Sequence, residues 1–226
     1  MELDALFDLW ATARVAKSYD EAEKHITSAR RYASSAGSVG WHWFCESLQD
    51  EKRKWFVAEV FKAQPVPKKL QARMLLAGVL EKNPSFNRYF IEPCVRSFGS
   101  RDVLSELLKY LQSGTDEQKS GAASACYWVR RDTKADPDDD LRNKIHCQML
   151  SEFVQNDNLE VRWSIIPMLS LDPNTYPESL RSLVPEAIRI ARSHTDEYIR
   201  HRVEVQLGAG GPLKAIPKAI PNATKA

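Results

Sequence analysis

The feature that most constrains this chain is a helical hairpin pattern that occurs three times in succession. Apolar residues spaced three and four apart mark a first helix over residues 103–111, and after a polar turn a second apolar face covers residues 122–129. The same order of helix, turn and helix returns over residues 141–169 and 180–203. Because this period is helical and the chain contains only nine glycines, the sequence predicts an all-α fold with essentially no strands.

The second helices of these hairpins align on a basic residue. Lys119, Arg162 and Arg200 fall in register at spacings of 43 and 38 residues, which is about the length of a two-helix solenoid unit. The segments NDNLEVRWSIIPML and HTDEYIRHRVEVQL place an Asp or Asn in the turn and an apolar residue followed by Arg at the start of the second helix. In these features residues 51–207 resemble HEAT repeats. The resemblance implies an α-solenoid of about five irregular antiparallel helix pairs, which together form a superhelix.

Two further segments flank the predicted repeats. Residues 1–50 are expected to form capping helices, and their segment SYDEAEKHITSARRYA resembles the second helix of a tetratricopeptide hairpin. Residues 208–226 combine glycine, proline and alanine without an apolar face, which predicts a flexible or extended tail. Within the repeats, Pro93 falls inside an extra aromatic-rich helix, and a proline there is expected to kink or restart that helix.

The charge pattern and the cysteines restrict the class of protein. Lys and Arg number 32 against 30 Asp and Glu, a net charge of +2 that is far below the basic excess of an obligate nucleic-acid binder. The longest charge-free run, residues 32–45, is too short and too polar to span a bilayer, and MELDALFDLW carries acids where a secretory signal carries bases. We therefore expect a cytoplasmic protein that does not bind a membrane. The four cysteines form no CxxC pair, so we expect buried free thiols.

The sequence contains no recognisable motif of catalysis or cofactor binding. No two of the five histidines have the i, i+4 spacing of a helical metal site, and both GxSxG and glycine-rich phosphate loops are missing from the sequence. His42 and Cys45 lie three residues apart in the aromatic segment GWHWFCE, but packing of the N-terminal helices explains this segment better than a catalytic pair does. We therefore expect no catalytic residue, no cofactor and no metal ion.

The aligned basic residues are the best candidates for a binding site. The second helices of a solenoid line its concave face, so Lys119, Arg162 and Arg200 are expected to form one basic row there. The candidate partner-binding surface also includes Arg130, Arg131, Trp163 and Arg202. Two interpretations of the row stay open. Its side chains either bind neighbouring turns and staple the repeats together, or they contact an acidic partner or a nucleic acid backbone.

These observations favour a non-catalytic scaffold or adaptor that binds another protein on the concave face of the solenoid. The alternative is nucleic acid binding, because the chain is similar in length and helix-pair layout to small all-helical DNA glycosylases built from HEAT-like repeats. That resemblance implies an Asp near tryptophans; Trp128 and Trp163 are the candidate aromatic residues, but no matching adjacent Asp is present. A lyase or a chaperone-like accessory protein is a third class that stays open.

Overall fold

The computed structural model describes residues 2–35, 38–129 and 138–208. Within these residues every regular element is a helix and none is a strand, which confirms the all-α prediction. In chain order the α-helices are α1 (Leu3–Val15), α2 (Tyr19–Ser35), α3 (Ser38–Ser47), α4 (Arg53–Phe61), α5 (Gln71–Val79), α6 (Arg88–Phe98), α7 (Ser100–Ser113), α8 (Asp116–Cys126), α9 (Asp139–Gln155), α10 (Leu159–Ile165), α11 (Glu178–Arg181), α12 (Leu183–Arg192) and α13 (Glu197–Leu207). Short 3-10 helices cover Lys68–Leu70, Ile166–Met168 and Pro173–Thr175. Among the helices so described, none has both the length and the apolar character needed to cross a bilayer.

Consecutive helices in the C-terminal part of the chain pack together in pairs. α7 contacts α8, α9 contacts α10, and α12 contacts α13, as the hairpin pattern predicts. Contacts also join successive pairs, since α9 contacts both α7 and α12, while α8 contacts both α5 and α10, and α10 contacts α13. The first helices of the three hairpins are therefore neighbours of one another. The second helices, α8, α10 and α13, are also neighbours.

Each second helix begins after a residue whose side chain caps its first turn. The Thr115 hydroxyl accepts a hydrogen bond from the Gln118 N–H, and the Gln118 side chain accepts one from the Thr115 N–H, so α8 starts with a capping box. Side-chain oxygens of Asn158 and Asp196 cap α10 and α13. Each cap stands four residues before a member of the aligned basic row. The common cap explains why these basic residues keep the same place on successive helices.

Close packing of α8 on α5 requires a glycine. A Cβ atom at Gly121 would lie 1.7 Å from the carbonyl oxygen of Val79 at the end of α5. No side chain can occupy that space, so only glycine allows the two helices this approach. The contact brings the end of α5 against α8 at one surface cleft, which is described below.

Aromatic side chains join the N-terminal helices to the rest of the fold. Phe44 and Phe56 are fully buried, and the ring of Trp43 meets both edge-on at centroid distances of 5.5 and 6.0 Å. His42 lies at the surface instead, with its Nε2 atom 3.1 Å from Glu46 Oε1. The aromatic segment at residues 41–46 therefore packs α3 against α4, as the sequence favoured.

Pro93 does not end α6 or restart it as a second helix, which was one of the two effects that the sequence predicted. α6 continues through it without a break, although proline inside a helix removes one backbone hydrogen bond. Pro93 and its neighbours Phe90, Ile91 and Cys94 are all buried. Burial of this apolar face compensates for the lost bond and keeps the segment as one helix.

The prediction of buried free cysteines holds for two of the four. Cys94 and Cys126 are buried, and burial raises the pKa of each thiol to about 12, which makes both unreactive near neutral pH. Cys45 and Cys147 are free but only half-buried. Both lie at the edge of the core, on sides of α3 and α9 that are partly open to solvent.

Candidate functional site

The lysine of the predicted basic row is paired within the chain. Lys119 Nζ lies 2.9 Å from Glu152 Oε2 of α9, and the two side chains are only 18% and 11% exposed. Glu152 also accepts hydrogen bonds from the side-chain amides of Gln148 and Asn156. Lys119 therefore links α8 to the first helix of the next hairpin.

The two arginines of the row bind backbone carbonyls. Arg162 Nε donates to the carbonyl of Phe153 near the end of α9, at 3.2 Å. Arg200 Nη1 donates to the carbonyls of His194 and Thr195 in the turn after α12. The last carbonyls of a helix have no partner within that helix, so each guanidinium satisfies acceptors of its own hairpin turn. Burial lowers the pKa of Arg162. These contacts occupy the row within the chain, but each arginine binds the turn of its own hairpin, and of the three only Lys119 joins one hairpin to the next.

The remaining candidate residues are Arg130, Arg131, Trp163 and Arg202. Arg130 and Arg131 lie outside the described residues. Arg202 is half-buried, and its Nε atom has no hydrogen-bond partner in the part of the chain that the structure describes. The ring of Trp163 packs on that of Tyr198 of α13, with centroids 4.5 Å apart and a 30° angle between the planes.

Two acidic residues that the sequence analysis did not single out lie on the other side of the same helices. Glu117 and Glu160 each stand two positions before a member of the basic row. Because successive residues of an α-helix are about 100° apart, positions two apart point in nearly opposite directions. The signal that could have found these residues is this two-residue offset from Lys119 and Arg162.

Both acidic residues line a surface cleft of about 430 Å³. Its walls come from the end of α5 with the turn after it, and from one side each of α8 and α10. Leu80, Lys82, Glu117, Ser120, Glu160 and Trp163 are among the residues that line it. We call this site the α5–α8–α10 cleft.

The α5–α8–α10 cleft carries a net negative charge. Its charged lining residues are Glu81, Asp116, Glu117 and Glu160 against Lys82. Glu81 is paired with Lys54, at 3.0 Å, and Asp116 Oδ1 accepts a hydrogen bond of 2.7 Å from the Asn156 amide. The carboxylates of Glu117 and Glu160 are exposed, and neither makes a hydrogen bond or an ion pair with any residue that the structure describes. Two carboxylates therefore remain available to a ligand.

Small polar residues hold the floor of the cleft together. Ser120 Oγ of α8 lies 2.7 Å from Ser164 Oγ of α10 and 3.2 Å from the carbonyl oxygen of Glu160. Above this floor two apolar side chains are partly exposed, Trp163 at 38% and Leu80 at 37%. The cleft thus combines a tightly joined base with an accessible aromatic and aliphatic surface.

A second, smaller cleft of about 230 Å³ lies between α1, α4 and α6. Its lining includes Trp10, Arg14, Trp55, Glu59, Phe86 and Tyr89. The aromatic rings pack on one another, with the Trp55 centroid 5.9 Å from that of Phe86 and 6.1 Å from that of Tyr89. Because one cation and one carboxylate line it, this cleft has no excess of either charge.

The α5–α8–α10 cleft can offer a ligand an aromatic face and two unpaired acceptors, which suits binding of a cation. In the described ranges, His, Cys, Asp and Glu side chains form no group of three or more that could hold a metal ion. Comparisons of the chain with models of known protein families, with characterised proteins and with solved structures find no match.

Proposed function

We propose that this protein is a HEAT-like α-solenoid of about five irregular helix pairs. The contacts support this arrangement, because the first helices of successive hairpins are neighbours and so are the second helices. The cap four residues before each basic residue gives successive units the same local structure. In such a solenoid α5, α8, α10 and α13 line the concave face, and the α5–α8–α10 cleft lies on it.

The proposed function is that of a non-catalytic scaffold or adaptor that binds another protein at this cleft. The observation that carries the proposal is the exposed side chain of Trp163 beside the unpaired carboxylates of Glu117 and Glu160. An apolar surface with a polar rim is typical of a protein interaction site, and tryptophan is enriched where interfaces are buried. The contact with Tyr198 holds the Trp163 ring in place before a partner binds, which lowers the entropy cost of binding.

Nucleic acid binding has less support at this site. A phosphate backbone is attracted by free cations, whereas Lys119, Arg162 and Arg200 already donate to acceptors within the chain. The exposed carboxylates of the cleft would repel phosphates. Protein binding is therefore the first choice, and nucleic acid binding becomes an outcome that the test below can detect.

Site-specific photo-crosslinking in cells tests the proposal. A benzoylphenylalanine residue in place of Lys82, at the rim of the cleft, is expected to give discrete protein adducts. Trp163→Ala should abolish these adducts because it removes the exposed ring. Gel analysis with and without nuclease, followed by mass spectrometry, measures the result.

Two controls make the crosslinking result specific. The same photoreactive residue at Lys24, which is exposed on α2, should not give the same adducts, and Tyr19→Ala, which removes another exposed aromatic side chain, should leave the Lys82 adducts unchanged. Adducts that persist in Trp163→Ala, or that disappear with nuclease, would contradict protein binding at the cleft.

A further inference from the structure

We infer that the partner of the α5–α8–α10 cleft presents an arginine side chain, whose guanidinium lies on Trp163 and pairs with Glu160 and Glu117. This inference rests on the proposed function, and it specifies the chemistry of the partner segment. Three features of the described residues support it: the exposed aromatic ring, the two unpaired carboxylates, and the presence of a single cation in the lining of the cleft.

Trp163 provides a fixed aromatic face. Tyr198 packs on its ring at 4.5 Å and covers one face, while the residue as a whole stays 38% exposed and lines the cleft. Planar guanidinium groups stack on tryptophan, which gives the strongest cation–π interaction of the aromatic residues. A ring that is already held in place can bind such a group without first losing rotamer freedom.

The two carboxylates line the same cleft as that ring. Glu160 stands three residues before Trp163 on α10, and residues three apart lie on the same helix face. Glu117 occupies the corresponding place on α8, and the Ser120–Ser164 contact of 2.7 Å fixes the distance between the two helices. A guanidinium on the ring can therefore donate to a carboxylate with two parallel N–H groups, the geometry that makes arginine pairs strong.

The cation has to come from outside the described residues. Lys82 is the only basic residue among the charged groups that line the cleft in the described ranges. Lys119 and Arg162 are turned away from the cleft and are engaged with Glu152 and with the Phe153 carbonyl. Among the described residues the negative charge of the cleft is thus unbalanced, and a basic partner segment would complement it.

A peptide selection tests this inference. A displayed library of random dodecapeptides is selected on the full chain and counter-selected on Trp163→Ala, and the composition of the surviving peptides is compared with that of the unselected library. We expect enrichment of arginine beside apolar residues. Replacing the enriched arginine with citrulline, which keeps the shape and removes the charge, should weaken binding about tenfold by calorimetry.

Variants of the protein make the assignment specific. Glu160→Gln and Glu117→Gln should each weaken binding of the arginine peptide severalfold and leave the citrulline peptide unaffected. Glu178→Gln, an exposed acid in the first turn of α11 that does not line the cleft, is the matched control and should bind like the parent. Trp163→Phe keeps an aromatic ring and should retain most of the affinity, which separates loss of the ring from loss of the fold.

The outcomes distinguish this inference from the proposed function. Peptides that depend on Trp163 but contain no enriched cation would overturn the arginine assignment and leave the scaffold proposal standing. Equal affinity for arginine and citrulline, or no effect of either glutamine variant, would also overturn the assignment. Failure to obtain any peptide that depends on Trp163 would overturn both the arginine assignment and protein binding at this cleft.

Discussion

On α8 and α10, Lys119 and Arg162 face the seam between packed helices, whereas Glu117 and Glu160, two positions earlier, face the cleft. The cations are paired with acceptors inside the chain, and the carboxylates have no partner among the described residues. Side chains two positions apart at the start of one helix therefore have different roles. The seam side joins neighbouring helices, and the cleft side is available for binding.

The helix dipole explains this division. The start of a helix carries partial positive charge, so an acid in the first turn is stabilised there even when it stays exposed. A cation in the first turn of α8 is disfavoured unless an acceptor lies beside it, and Glu152 supplies that acceptor for Lys119. Arg162 also lies in the last turn of the short helix α10, where a cation is favoured, and it donates to the Phe153 carbonyl. The acids stabilise the helix starts without a partner, and this leaves them free to bind one.

The largest expected effect is on stability, at Gly121, which both lines the cleft and allows α8 to pack on α5. Gly121→Ala would place a Cβ atom 1.7 Å from the backbone oxygen of Val79, so α8 must move away from α5. We expect a loss of about 3 kcal/mol in the free energy of unfolding, measured by denaturant titration. The same displacement should weaken binding at the cleft, because α5 and α8 both form its walls.

Ser124→Ala is the matched control for this substitution. Ser124 lies three residues after Gly121 on α8 and lines the same cleft, but the change removes atoms instead of adding them. We expect its stability to stay within about 0.5 kcal/mol of the parent. Equal stabilities of Gly121→Ala and the parent would show that α8 can move from α5 at little cost, so that the close packing of these two helices does not stabilise the fold.

The next effect in size compares the two sides of α8 directly. Lys119→Met should lower the free energy of unfolding by about 2 kcal/mol, because it leaves the largely buried carboxylate of Glu152 without its cation. Glu117→Gln, two positions earlier and exposed, should change it by less than about 0.5 kcal/mol. Denaturant titration of both variants measures the difference.

A second substitution shows whether the buried charge causes this loss. Adding Glu152→Leu to Lys119→Met removes the unpaired carboxylate, and we expect the double variant to recover part of the stability. Similar losses for Lys119→Met and Glu117→Gln would mean that the seam and the cleft side of α8 contribute equally, which contradicts the comparison.

The sequence alone predicted the parts of this fold that depend on local spacing. Apolar spacing placed the hairpins, and the caps, which lie four residues before the basic row, kept Lys119, Arg162 and Arg200 in register. The sequence could not decide between stapling and ligand contact for this row. The deciding acceptor for Lys119 is 33 residues away along the chain, and its position depends on how α9 packs on α8.

The α5–α8–α10 cleft could not be predicted for the same reason. It forms where three helices distant in sequence meet, and the approach of α8 to α5 depends on a single glycine. Glu117 and Glu160 look like ordinary first-turn acids, which are common at helix starts and need no function. Only their position beside the exposed ring of Trp163 distinguishes them.

The smallest expected effect is on the pH dependence of stability. It arises in the turn before α13, which corresponds to the turn before α10. His194 Nδ1 accepts a hydrogen bond from the Asp196 N–H, as Asn156 Oδ1 does from the Asn158 N–H in the preceding hairpin. Burial, together with the nearby charge of Arg162, lowers the pKa of His194 below its ordinary value of 6.5. The folded protein therefore favours the neutral imidazole that this hydrogen bond requires. The contribution of this hydrogen bond to the free energy of unfolding is fully present above pH 6.5. It declines as the pH falls toward the lowered pKa, because only the unfolded chain takes up the proton readily.

His194→Asn keeps an acceptor that does not titrate, so the melting temperature of this variant should fall less than that of the parent between pH 7.5 and pH 5.5. His42→Asn, at an exposed histidine, should follow the parent, and the same result for His194→Asn would show that this turn does not depend on the neutral imidazole.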